Sequence, residues 1–284
     1  MMSAGQKRNY QIWLAICLLM VLVCTPFCSH ADQTTYEGPG WDTPEDAVLV
    51  YLEGMKEQDL YKMISAYAVE THIDHFDLQA QLERIRAYTI SMIPRMPNST
   101  NLLWGINVEA RKNEIVQSIL LQMSTLCLYE RAQDFDRPIG FQSDNFAEEA
   151  RAFVEELDQA FAAVDFNTLN VLRFTPPELI SELYASERNQ ENIKRQAAPY
   201  GVDEMRSVIA VFALDDKVGA LCCDVARYGD RWFMHKPGGN IAAIIGFSAM
   251  TGGVIAGPVE EMAAVLDSIG LEIGDFLIDV IEQY

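Results

Sequence analysis

The chain of 284 residues carries 41 acidic against 21 basic side chains, which gives a formal net charge of −20 at pH 7. Negative charge in this excess repels phosphate backbones and anionic lipid head groups, so we predict neither nucleic acids nor anionic membrane surfaces as partners. A chain of this length buries roughly 70–75% of its unfolded surface, enough for a substantial core without disulfides.

The N-terminus has the pattern of an export signal. Lys7 and Arg8 precede thirteen apolar residues at 12–24, and small residues end the segment at Ala31. This order is typical of a secretory signal peptide, and we predict cleavage between Ala31 and Asp32. The apolar run is shorter than the ~20 residues of a membrane span. The chain is therefore predicted to be secreted or extracytoplasmic, with an uncleaved, membrane-tethering signal as the alternative.

Helical periodicity runs through most of residues 43–198. Thr43 can cap a first helix and Pro44 suits its first position, while Asp59 and Asp77 can cap two more. Apolar residues then recur every three to four positions, which favours helices over longer segments. These segments run over 102–130, from Ser143 or Asp144 to about Val164, and from Pro176 to about Ala198.

Three β-prone runs come next, at 207–214, 218–227 and 231–235, separated by tight polar turns. Short runs joined by such turns indicate an antiparallel meander. The predicted fold class is α+β. Its helix-rich N-terminal two-thirds pack on a small antiparallel β-meander that could be cone-like, and an amphipathic helix ends the chain.

The cysteines of the mature chain point to packing rather than to bridges. Cleavage would leave three of them, Cys127, Cys222 and Cys223, and an odd number cannot pair fully within one chain. Cys222 and Cys223 are neighbours in a predicted strand, so their side chains should face opposite sides of the sheet. We interpret all three as small apolar filler.

The C-terminal region has two apolar segments. Residues 241–256 are predicted as buried core, with a membrane span as the alternative. Residues 258–284 keep a period of three to four, typical of a helix that packs on the core or forms a homo-oligomer. The predicted organisation is a signal peptide (1–31), a flexible leader (32–42), one α+β domain (43–257) with a large helical middle (71–200), and a C-terminal amphipathic helix (258–284).

Two blocks of sequence carry a family resemblance. Residues 43–70 (TPEDAVLVYLEGMKEQDLYKMISAYAVE) and 208–239 (VIAVFALDDKVGALCCDVARYGDRWFMHKPGG) resemble nuclear-transport-factor-two-like (cystatin-like) domains of exported bacterial proteins. The first block is similar to the opening helices of that family, and the second to its closing strands. The resemblance implies helices packed into the concave face of a curved sheet. The helical interval 71–200 departs from the family pattern, and no catalytic residue is carried over.

The leading functional hypothesis is a non-catalytic binding or interaction module. A small enzyme of isomerase or hydrolase type, with its site in a concave sheet, is one alternative, and assembly through the C-terminal helix is another. Residues that would line a ligand pocket in the cone are Tyr51, Met55, Tyr67, Phe212, Tyr228 and Trp232.

The sequence offers little for a metal or a cofactor. His72 and His75 lie three apart in an acidic segment, which makes them weak candidates for metal ligands, because zinc needs three or four converging groups. The segment is equally typical of a polar turn that ends in the cap at Asp77. There is no H-E-x-x-H, Walker or dinucleotide-binding motif, so we predict no cofactor.

Overall fold

An antiparallel sheet of five strands organises the chain in the computed structural model, which describes residues 35–87, 102–129, 145–247 and 251–271. The predicted signal peptide with its cleavage site, and residues 272–284 of the predicted C-terminal helix, lie outside the described residues. The helices are α1 (Pro44–Lys56), α2 (Leu60–Ser65), α3 (Glu70–Asp74), α4 (Leu78–Ile85), α5 (Leu102–Cys127), α6 (Phe146–Ala162), α7 (Pro177–Ile180), α8 (Glu182–Ala185), α9 (Glu187–Ala197), α10 (Gly239–Ile245) and α11 (Val259–Ser268). The strands are β1 (Asn170–Thr175), β2 (Glu204–Leu214), β3 (Lys217–Tyr228), β4 (Arg231–Pro237) and β5 (Val254–Pro258).

Three helices begin directly after the residues that were predicted to cap them. The Thr43 hydroxyl accepts a hydrogen bond from the Asp46 amide at 3.1 Å, and Pro44 occupies the first helical position of α1. Asp59 caps α2 and Asp77 caps α4 in the same way. Each side chain satisfies an amide that the first helical turn leaves without a partner.

The predicted meander is confirmed as β2, β3 and β4, joined by tight turns. Two strands that were not predicted from the sequence enlarge it. Strand β1 lies inside the largely helical interval 71–200, between the predicted helices that end near Val164 and start at Pro176, and it pairs with β2. Strand β5 begins at the end of the apolar run 241–256 and pairs with the first half of β3, so β5 and β4 follow each other along one edge of β3.

Both faces of the sheet are covered by helices. On β2, Val208 and Phe212 face a core formed with α1, α2, α3 and α5, whereas Ile209 and Val211 face a second core formed with α8 to α11. Cys223 and Cys222 divide between these two cores in the same way, as predicted, and both are free. Burial on two faces explains why these strands are apolar almost throughout instead of alternating.

Residues 36–41 are held in place, which differs from the flexible leader predicted over 32–42. The Gly38 amide donates to the Ser65 carbonyl at 2.8 Å, and Trp41 forms a β-bridge with Trp232. The Tyr36 amide also donates to the Glu70 carboxylate at 2.8 Å. A backbone with this many partners loses the freedom that the glycine-rich sequence suggested.

The described part of the C-terminal helix belongs to the core. Leu266 of α11 and Leu271 after it are fully buried in the second core. The homo-oligomer through 258–284 stays a prediction. No helix within the described ranges has the length and apolar character that crossing a membrane requires.

Candidate functional site

The six predicted pocket-lining residues are all buried. The rings of Tyr51 and Tyr67 meet edge to face, with centroids 5.7 Å apart, inside the first core. A ligand-binding role for this group stays a prediction, since its members pack on one another and on their core neighbours. Met55, Phe212 and Trp232 lie in the same core, and Tyr228 packs with Phe233 in a neighbouring cluster.

Helix α5 places polar groups in this interior. Gln122, which is fully buried, accepts a hydrogen bond from the Tyr51 hydroxyl and donates to the Gly252 carbonyl at 2.8 Å. Arg111 donates to the carbonyl groups of Ala68 and His235. Burial raises the pKa of Tyr51 far above its ordinary value, so its phenol stays protonated and donates. The hydrogen bonds of these polar side chains therefore stabilise the packing of α5 on the sheet.

Three histidines in the described part of the chain lie among aromatic rings. The ring of His72 stacks on Tyr200 with centroids 5.1 Å apart and lies 5.4 Å from His235, whereas His75 approaches Tyr228 at 5.0 Å. His72 and His235 are only 1% and 3% exposed. Such enclosure suits packing better than acid–base chemistry on a substrate. No group of three or more His, Cys, Asp or Glu side chains in the described ranges could hold a metal ion.

A buried carboxylate links the sheet to α10. Asp224 of β3 accepts hydrogen bonds from the Ser207 hydroxyl at 2.7 Å and from the Asn240 amide at 3.2 Å. Its second oxygen lies 4.0 Å from the Lys236 ammonium group. Burial raises the pKa of Asp224, while Lys236 and the two hydrogen bonds lower it in part. The carboxylate thus fixes the first turn of α10 on the sheet.

Asp224→Asn is expected to become progressively more favourable, relative to the parent chain, as the pH rises. Because the pKa of Asp224 is raised in the folded state, the unfolded chain loses this proton first. The folded state then binds more protons, so rising pH lowers the stability from about pH 3.9, the unfolded value, up to the raised folded pKa. A tenfold difference in proton affinity between the two states corresponds to about 1.4 kcal/mol, and asparagine keeps an oxygen for Ser207 and Asn240.

Urea unfolding of both chains between pH 3.5 and 7 measures this difference. The exposed Asp230 provides the control, since Asp230→Asn removes a carboxylate without a buried environment. A free-energy difference between Asp224→Asn and the parent that stays constant over this range would contradict the assignment.

A polar cleft of 710 Å³ lies along α9, next to the Asp224 network. Asn189 connects the two, because its side-chain amide donates to the Asn240 side chain at 2.9 Å and to the Tyr184 carbonyl at 3.0 Å. Tyr184 in turn accepts a hydrogen bond from the Ser207 amide at 2.9 Å. The cleft therefore has a well-anchored wall. It is lined by Leu183, Ser186, Arg188, Asn189, Glu191, Asn192 and Arg195.

Two arginine side chains in the lining place positive charge in the cleft. Arg188 and Arg195 are seven residues apart on α9, so their backbones lie about 10 Å apart on nearly the same side of the helix. Arg195 donates to the Asn192 side chain at 2.9 Å, and Arg188 makes no ion pair with any residue in the described ranges. Glu191, the one acid among the described residues of the lining, pairs with Lys194 at 3.2 Å. Both guanidinium groups are thus available to carboxylates or phosphates.

The helix that carries this cleft was predicted from the sequence, but the cleft itself was not. Arg188 and Arg195 were part of a polar helical stretch, and Asp224 was one polar residue in an apolar strand. The spacing of two arginines by two helical turns, in a chain with twice as many acids as bases, was the one available signal.

Comparisons with known proteins leave the family open. No family model and no curated protein matches the chain. Among solved structures, the chain is similar to a cystatin-like protein from Ruminococcus gnavus ATCC 29149, with 14% identity and a TM-score of 0.38. The match covers 68% of this chain and 39% of the other, so this chain spans about two-fifths of that protein. The likeness agrees with the weak resemblance in the sequence.

Proposed function

We propose that this chain is an exported, non-catalytic binding module whose cleft along α9 takes a small ligand with two anionic groups. The observation that carries the proposal is the pair of available guanidinium groups, Arg188 and Arg195, in one cleft of 710 Å³. The predicted signal peptide supports export. The enclosure of His72 and His235 supports a role in binding rather than in acid–base catalysis.

The size and charge of the ligand are limited by the surroundings. The cleft volume falls within the ~300–1,000 Å³ of sites for small molecules. A long polyanion would meet the acidic remainder of the surface, whereas a small dianion can stay within reach of the two arginines. A guanidinium group offers a carboxylate two parallel hydrogen bonds, and a spacing of about 10 Å favours a ligand with its charges at opposite ends.

Calorimetric titration with linear dicarboxylates from succinate to sebacate tests this proposal on the mature chain. We expect affinity to rise with chain length until the two carboxylates span both arginines. Arg188→Gln and Arg195→Gln should each weaken binding about tenfold or more, because a hydrogen bond to a charged group contributes ~1.5–3 kcal/mol. Binding should also weaken as salt is added.

Lys56→Gln is the matched control, since it removes one positive charge from an exposed residue of α1 that does not line the cleft. It should leave the affinity within about twofold, because an exposed charge outside the cleft is largely screened. Equal losses in all three variants would show that net charge, and not the cleft, governs the affinity. If none of the dicarboxylates binds the parent chain, the proposal fails.

A further inference from the structure

Two polar side chains point from the edge strand β1 towards the apolar second core. Arg173 is paired with Val211 and Thr175 with Ile209, across from β2. Val211 and Ile209 both belong to the second core, so Arg173 and Thr175 share that face of the sheet. Strand β1 is the outermost strand of the path that leads through β2, β3 and β4. Among the described strands, the face therefore lies at an edge of the sheet.

The donors of these side chains have no acceptor among the described residues. The Nε and Nη2 atoms of Arg173 are buried without a hydrogen-bond partner there, and so is the hydroxyl of Thr175, which is 8% exposed. Polar atoms in such surroundings nearly always have partners in native proteins, and two buried guanidinium nitrogens without acceptors are unfavourable. Two neighbouring exceptions on one strand face call for a common explanation.

The geometry of the arginine indicates which partner would fit. Nε and Nη2 form one edge of the guanidinium group, and their two N–H bonds are parallel. This edge matches the two oxygens of a carboxylate or a phosphate. The Thr175 hydroxyl, two residues along the same strand face, can add a third hydrogen bond to the same anion.

We propose that Arg173 and Thr175 form a binding site for an oxyanion, either a free phosphate or the carboxylate of a ligand, at the edge of β1. The site is separate from the cleft along α9 and does not depend on the function proposed for it. The anion would neutralise the guanidinium group and supply the acceptors that its buried edge lacks.

Thermal unfolding of the mature chain in phosphate, acetate and chloride of equal ionic strength tests this site. A ligand that binds only the folded state raises the unfolding temperature with its concentration. We expect phosphate or acetate to do so for the parent chain beyond the effect of chloride. A response to phosphate alone identifies a phosphate site, and a response to acetate identifies a carboxylate site.

Three variants separate the site from general salt effects. Arg173→Met replaces the guanidinium group by an unbranched apolar side chain. It should lower the affinity for the responding anion at least tenfold. In chloride this variant should be as stable as the parent or more stable, because no buried, unpaired edge of a guanidinium group remains. Arg173→Lys keeps the positive charge but lacks the two parallel N–H bonds, so it should also bind the anion less tightly. Thr175→Val should weaken binding by a smaller factor.

Two results would overturn the proposal. One is an identical response of the parent and Arg173→Met to all three anions. The other is a loss of stability in Arg173→Met, with Arg173→Lys unaffected, that is equal in every salt, since an acidic group of the chain itself would then be the partner. Arg188→Gln serves as a control, because it alters the α9 cleft and should leave the anion response of β1 unchanged.

Discussion

Gly253→Ala is expected to destabilise the protein by more than about 4 kcal/mol or to prevent folding, whereas Gly229→Ala should cost only about 1–2 kcal/mol. Both glycines have a positive φ, +73° and +63°, so an alanine meets similar backbone strain at either position. They differ in their surroundings. A Cβ atom at Gly229 would meet nothing within 4 Å.

At Gly253 a Cβ atom would overlap the backbone of Gly238 and lie 2.7 Å from the Cys222 carbonyl oxygen. This is the point where the edge of β3 passes from β5 to β4. The Gly238 amide donates to the Cys222 carbonyl at 2.7 Å, and the Cys222 amide donates to the Gly253 carbonyl at 2.8 Å. Two strand ends therefore meet beside one residue, and only glycines allow their backbones to come this close. The atoms that an added methyl group would meet belong to the backbone of Gly238 and Cys222, so they cannot move aside as a flexible side chain could.

Equilibrium unfolding of the two variants in urea gives the comparison directly. The difference between them isolates the close approach, because the cost of the left-handed backbone is common to both. If Gly253→Ala lost no more stability than Gly229→Ala, β4 and β5 would not meet beside Cys222 as the structure shows.

The elements that were predicted well from the sequence are those with local signals. Thr43, Asp59 and Asp77 each precede an apolar helical pattern, and each caps a helix in the structure. The meander was predictable for the same reason, since its strands are neighbours in the sequence and the turns between them are short. In both cases the residues that specify the element lie within a few positions of it.

The two missed strands depend on partners far away in the chain. Strand β1 has only six residues and lies between helical segments, and its pairing with β2 joins residues that are about forty positions apart. Strand β5 lies in a glycine-containing apolar run whose pattern also fits a buried helix. Its partner in β3 is at least 33 positions earlier, as the pairing of Leu221 with Val254 shows. Such long-range pairing leaves no local pattern to read.

The candidate sites were hidden for a related reason. Asp224 stands out only because the register of β2 and β3 brings Ser207 opposite to it, and because α10 returns to the same place. The significance of Arg173 depends likewise on pairing with Val211, which turns its side chain towards the second core. Sequence spacing carries neither fact. The predicted pocket residues were recognisable because they are large and apolar, a property that core residues share.

Phe212→Ala is the experiment that separates these two roles in the first core. Phe212 is almost fully buried, and its ring lies over Gly219, its partner across β2 and β3, where a Cβ atom would come within 2.8 Å of the ring. The absence of a side chain at Gly219 makes room for the phenyl group. If the interior is solid core, truncating Phe212 removes this packing and leaves a hole, which costs about 3–5 kcal/mol.

Phe146→Ala is the matched control, because this phenylalanine of α6 is 58% exposed and its loss should change stability by no more than about 0.5 kcal/mol. Denaturant unfolding of both variants gives the two free energies.

If Phe212 lines a ligand pocket, the opposite result is expected. The wall of a pocket already faces open space, so its truncation should cost less than about 1 kcal/mol and should instead change which ligands are bound. A hole made in solid core would be lined by apolar side chains and stay dry, so benzene should stabilise Phe212→Ala and leave the parent chain unaffected. Stabilisation of the parent chain by benzene would favour the pocket.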